Sequence, residues 1–168
     1  GHGMDDSHLG CANGLLFPYF SSPTYHVHYA EVEVDPVSGN VHVTRYVVAQ
    51  DVGRVINSAC VRGQIQGAVA QSIGLSLYES MRFAEDGNII EANLQFYRLP
   101  LAVDIPRVEY VTMEQENSEG PFGAKGSGEA PVLLPAAVIA NAVADAIGKR
   151  ITKIPITPED VLQALAET

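Results

Sequence analysis

No stretch of this chain stays apolar for the roughly 18 residues that a membrane-spanning helix needs, because Gly, Pro or charge interrupts every run. Basic residues are also scarce. Ten Lys and Arg stand against 20 Asp and Glu, a formal charge of −10. This balance argues against nucleic acid and anionic membrane surfaces as partners. Cysteine is scarcer still. Cys11 and Cys60 cannot build a disulfide framework or hold an iron–sulfur cluster, and CxxC is missing. The opening residues, Gly1-His2-Gly3-Met4-Asp5-Asp6, show no basic region followed by an apolar one. The expectation is a reducing, cytoplasmic setting. Gly1-His2-Gly3 before Met4 reads as an expression scar, which leaves residues 4–168 as a single domain.

The 168 residues are 46 % hydrophobic and 18 % charged, the balance of a folded chain with a sizeable core. Residues 5–23 carry no period and read as an irregular lead-in. Residues 24–34 and 41–48 alternate and are rich in β-branched residues. The turn formers of Asp35-Pro36-Val37-Ser38-Gly39-Asn40 lie between them, so the two segments form an antiparallel hairpin. Asn57 caps a helix over 58–78, whose Val61, Ile65, Ala68, Val69 and Ile73 form a buried arc. The other arc carries Cys60, Gln64, Gly67, Gln71 and Gly74. Interior glycines cost a helix about 1 kcal/mol each, so something must approach that arc closely.

Residues 89–96 are ambiguous, and 108–114 read as a strand. A helix runs from Pro135 to about Ile147, stopped by Gly148. Residues 151–156 read as a short strand, and Thr157-Pro158-Glu159-Asp160 opens a last helix. The fold class is α+β: a layered domain with a hairpin-containing mixed sheet packed against helices.

His26 and His28 share a strand face and His42 lies on the hairpin partner. Centring the turn near Gly39 puts His42 opposite Glu33, several residues from His28, which argues against a three-histidine metal site. The loop Gly120-Pro121-Phe122-Gly123-Ala124-Lys125-Gly126-Ser127-Gly128-Glu129-Ala130-Pro131 satisfies neither the P-loop nor the dinucleotide fingerprint. Its glycines still let backbone approach a ligand. Glu129, in a small and apolar stretch, reads either as a desolvated general base or as a carboxylate facing the start of the next helix. Gln64 and Gln71, two turns apart, read as amides for a heterocycle edge or as buried amides bonded to backbone.

Six segments together resemble the C-terminal part of the large subunit of the molybdenum hydroxylases, the xanthine dehydrogenase and aldehyde oxidase family. They are Glu31-Val32-Glu33-Val34-Asp35-Pro36, Asp51 to Asn57, Gly63 to Gln71, Tyr97-Arg98-Leu99-Pro100, Gly123 to Pro131 and Ile154 to Glu159. The resemblance implies oxidative hydroxylation of an aldehyde or N-heterocycle, with water supplying oxygen and two electrons passing to molybdenum. It implies that Glu129 is the active-site base and that Gln64 binds the pterin. It further implies that Gly67 and the loop Gly123, Ala124, Lys125, Gly126, Ser127 and Gly128 line the cofactor.

The cofactor the resemblance implies is molybdenum–molybdopterin, with the cytosine dinucleotide as one form, and it implies no protein side chain as a metal ligand. Ser58, Ser72 and Ala130 depart from the common pattern without removing a group the chemistry needs. The family's molybdenum subunit is much longer, so the chain reads as its C-terminal fragment or as a split subunit. The partners implied are the remainder of that subunit, an iron–sulfur subunit, in some members an FAD subunit, and a small-molecule substrate. Iron–sulfur clusters and FAD belong to those partner domains or chains. The chain alone is expected to hold no cofactor tightly. The competing reading is a non-catalytic assembly module that functions only with partner chains.

Overall fold

The computed structural model describes residues 23–115 and 120–167. The irregular lead-in expected over 5–23 lies, except for Pro23, outside the described residues, as does the stretch 116–119. Strand β1 (His26–Val34) turns through residues 35–40 into β2 (Val41–Asp51), and the two pair antiparallel. The Asp35 carboxylate accepts from the Val37 N–H at 2.9 Å and the Ser38 hydroxyl at 2.6 Å, which closes the turn. His42 faces Glu33, the register expected from the turn. One bulge sets Thr44 out of register, between the pairs Glu31–Arg45 and Val32–Val43.

Strand β3 (Val108–Met113) adds to β2 in parallel and completes a mixed three-stranded sheet in the order β1-β2-β3. A parallel neighbour needs a long crossover. Here it contains helix α1 (Ser58–Leu77) and an irregular stretch over 78–107. The ambiguous residues 89–96 are turns and bends, apart from one isolated bridge between Phe83 and Ile89.

Asn57 caps α1 as expected, its Oδ1 accepting from the Cys60 N–H at 3.1 Å. Helix α2 (Pro135–Ile147) ends at Gly148 in the left-handed region, and α3 (Pro158–Ala166) opens with a Thr157–Asp160 capping box. The 18-residue stretch Ala130–Ile147 is apolar enough for a membrane span by composition. Pro131 and Pro135 divide it into a single turn and a 13-residue helix, about 20 Å long, against a hydrocarbon core of about 30 Å. Ile139 and Val143 of that helix are buried in the core.

The helices cover one face of the sheet. Tyr46, Val48 and Val108 from that face meet Ile65, Val69 and Ile73 of α1, Ile139 and Val143 of α2, and Ile156 and Val161. No helix among the described residues covers the opposite face. Val27, Tyr29, Val111 and Met113 are exposed there, and the half-buried Val47 and Ala49 lie between them. Beyond this apolar area Arg45 bridges Glu31 at 3.3 Å and Glu109 at 2.7 Å, linking all three strands.

The strand expected over 151–156 does not form. Pro155 lacks an N–H for a ladder, and the Ile156 N–H donates to the Ser76 carbonyl at 2.7 Å, so this segment docks on the end of α1.

Candidate functional site

Strand β2 ends in a buried acid. Asp51 is 1 % exposed, and its carboxylate accepts the Lys125 ammonium at 2.5 Å and the Gly53 N–H at 2.9 Å. Burial by itself raises a carboxyl pKa. The Lys125 and Gly53 hydrogen bonds outweigh it and hold Asp51 below its ordinary value. Lys125 also lies 6.0 Å from the centre of the Tyr25 ring.

Backbone bonds fix the same junction. Arg54 N–H donates to the Gly123 carbonyl and Lys125 N–H to the Val52 carbonyl, each at 2.9 Å. Gly53 has φ +59, and a side chain there would run into the Gly123 carbonyl, so glycine is required on both counts. The glycine-rich loop is thus stitched to the continuation of β2. From that anchor it runs back toward α1.

Two clefts flank α1. One of about 490 Å³ lies between the helix and the loop, with Gln64, Gly67, Gln71, Gly128, Glu129 and Val132 on its walls. A smaller one of about 190 Å³ lies at the helix start, walled by Arg54, Asn57, Cys60, Gln64, Lys125 and Ser127. Gln64 borders both. Ser72, buried at 1 %, donates from its hydroxyl to the Val132 carbonyl at 3.2 Å and ties α1 to the wall of the larger cleft.

Gln64, Gly67 and Glu129, far apart in sequence, therefore meet on one cleft, with Gly128 beside them. Ala124 and Ser127 line the smaller cleft. Lys125 does too, but its ammonium turns to Asp51. Gly123 and Gly126 border neither. Two expectations need correction. Gln64 and Gln71 are exposed, so the buried-amide reading fails. Glu129 is also exposed, and it precedes a single 3-10 turn (Ala130–Val132) without capping it. Among the described residues nothing encloses its side chain.

Residues 11–106 match the family model described as a molybdopterin cofactor-binding domain. The chain belongs to that family. It is 40 % identical over 152 residues to the gamma subunit of the 6-hydroxypseudooxynicotine dehydrogenase complex of Paenarthrobacter nicotinovorans, covering 89 % of this chain and 18 % of that protein. Against the aldehyde oxidoreductase of Megalodesulfovibrio gigas it is 37 % identical over 161 residues, covering 95 % of this chain and 17 % of that protein. The crystal structure of quinoline 2-oxidoreductase from Pseudomonas putida 86 superposes with a TM-score of 0.80 at 33 % identity, over 83 % of this chain and 18 % of that one. The chain spans less than a fifth of the length of each of these proteins.

The larger cleft fits the edge of a pterin. Gly63 and Gly67 have open space where a side chain would stand, so a flat ring can approach the α1 backbone. Gln64 supplies both a donor and an acceptor on the same wall. No group of three or more His, Cys, Asp or Glu suits a metal ion among the described residues.

Sequence reasoning missed Asp51 as the anchor of the loop. The signal was available: an acid at the end of a β-branched strand needs a cation, and Lys125 is a lone base in a glycine-rich loop.

Proposed function

We propose that this chain is the C-terminal molybdopterin-binding portion of a molybdenum hydroxylase, and that it works within a larger molybdenum subunit. The meeting of Gln64, Gly67, Gly128 and Glu129 on one cleft carries this reading. The names of its relatives agree with it. When bound, the molybdenum cofactor supplies the two-electron redox centre for oxidative hydroxylation of an aldehyde or N-heterocycle, with water as the oxygen source.

This chain's residues do the rest. The Gln64 amide holds and orients the pterin edge. The open wall at Gly67 lets that edge lie against the helix. Backbone of the loop from Gly123 to Gly128 borders the cofactor, while Lys125 fixes the loop by pairing with Asp51. The Glu129 carboxylate accepts the proton that water gives up as its oxygen attacks the substrate carbon. Glu129 is exposed in the chain by itself, so turnover needs the remaining subunit to close the site against bulk solvent while admitting the reacting water. The same exposure supports an assembly step before catalysis. Partner subunits carrying iron–sulfur clusters, and FAD in some members, receive the electrons, and the compartment is the reducing cytoplasm.

The test is Glu129→Gln in the assembled enzyme. Glutamine keeps the shape but cannot take the proton. Fold and molybdenum content stay at wild-type levels while turnover falls by at least about 10²–10⁴-fold. Turnover within a few-fold of wild type would remove Glu129 from the role of base.

A further inference from the structure

Among the described residues the sheet has an unpaired edge, beside a groove apart from the proposed cofactor cleft. Strand β1 pairs with β2 on one side only. Helix α2 packs under β1 and leaves a groove of about 570 Å³ along that edge. Residues 28–32 line it without a break, and so do Val138, Asn141, Ala142 and Asp145 of α2. Both odd and even residues of β1 take part, so the wall is the strand's backbone edge rather than one of its faces.

The direction of the backbone groups follows from two bonds. The Tyr25 carbonyl accepts from Asp51 N–H at 2.8 Å, and Asp35 N–H donates to the Asn40 carbonyl at 2.9 Å, so odd residues of β1 bond toward β2. The bulge lies on β2 and leaves the alternation of β1 intact. Even residues therefore turn outward. His28, Ala30 and Val32 offer three N–H and three C=O groups to the groove, a ready template for another strand. Five residues of extended chain, about 17 Å, match this stretch.

The groove's lining carries Asp145, Glu31, which Arg45 already bridges, and the His28 imidazole, with no Lys or Arg; Lys149 and Arg150 share a neighbouring cleft with Asp145. Asp145 has no cation partner among the described residues. More than four-fifths of the length of the proteins compared above lies outside the aligned part.

We propose that this groove seats a fourth strand, supplied by a part of the molybdenum subunit outside this chain. The strand pairs with the backbone of His28, Ala30 and Val32 and places a Lys or Arg against Asp145. The inference rests on the reading of this chain as one portion of a larger subunit.

Amide hydrogen exchange tests it, measured on the chain alone and within the assembled subunit, with molybdenum content determined in parallel. The amides of His28, Ala30 and Val32 exchange quickly in the chain alone and slow by at least about tenfold on assembly, the factor one backbone hydrogen bond represents. Their odd-numbered neighbours, bonded to β2, are slow in both. The proposal is overturned if the even amides stay fast in the assembled subunit, or if they are already slow in the chain alone, which would fill the groove from within. An assembled subunit that protects them yet retains no molybdenum refutes the proposed function and leaves strand addition standing. In a binding assay between this chain and the rest of the subunit, Asp145→Lys weakens association at least about tenfold, whereas Asp86→Lys in the remote 85–88 turn does not. Equal affinities for the two variants overturn the cation assignment.

Discussion

Asp51 and Lys125, 74 positions apart, form a buried ion pair at 2.5 Å that fastens the glycine-rich loop to the end of β2. Neither side chain is more than 8 % exposed. Lys125→Met leaves a buried carboxylate without its partner. The chain should lose about 3–5 kcal/mol of unfolding free energy, read by urea denaturation. A second change, Asp51→Leu, should recover part of that loss, because a well-packed apolar pair carries no desolvation cost.

The same pair sets an acid limit. The native pKa of Asp51 is depressed, so the carboxyl binds fewer protons in the native state than in the unfolded one. Its stabilising contribution is complete above the unfolded value of about 3.9 and is lost as pH falls below it through the native value. Asp51→Asn should flatten the stability profile in that range, checked by denaturation midpoints at a series of pH values.

His28 acts at higher pH. Burial first, and the neighbouring His26 second, lower its pKa from 6.5 to about 4. Its Nδ1 lies 3.0 Å from the Tyr46 hydroxyl. The unfolded chain binds a proton at this position from about pH 6.5 downward, and the native chain binds it only near 4. Stability should therefore fall as pH drops across that interval. His28→Gln should reduce the slope there while leaving the region above pH 7 unchanged, which thermal melts across pH 4–7 would show.

Gly67→Ala separates folding from binding. A methyl group at Gly67 meets nothing within 4 Å, so the isolated chain should gain up to about 1 kcal/mol from helix propensity. In the assembled subunit the same methyl should crowd the pterin and lower molybdenum content. Gly74→Ala should behave in the opposite way, destabilising the isolated chain. There the new Cβ strikes the Glu79 carboxylate, which accepts the Tyr97 hydroxyl at 2.6 Å. Melting curves and metal analysis on both variants distinguish the two glycines.

Local signals carried much of the fold. Alternation and turn chemistry placed the hairpin and set His42 against Glu33, and cap residues placed both Asn57 and Thr157. What failed depended on distant partners. The 151–156 segment has strand-like residues, but the Ser76 carbonyl claims its one well-placed donor. The ion pair of Asp51 joins two motifs whose closeness only the fold reveals. Glu129 sits among small and apolar neighbours in sequence, yet it is exposed, because small neighbours on their own do not enclose a carboxylate. The glycines of α1 looked alike on a helical wheel. In the fold Gly74 is packed tightly and Gly63 and Gly67 face open space.

The Glu31–Arg45–Glu109 ladder gives the outer sheet face a waterline. On its charged side the three strands are finished surface, screened by salt and content in solvent. On its other side Val27, Tyr29, Val111 and Met113 have the composition of a protein interior cut open. Whatever body completes this sheet must end its apolar footprint at Arg45, since crossing it would strand three charges away from water. Arg45 thereby acts as a ruler for the apolar part of this face.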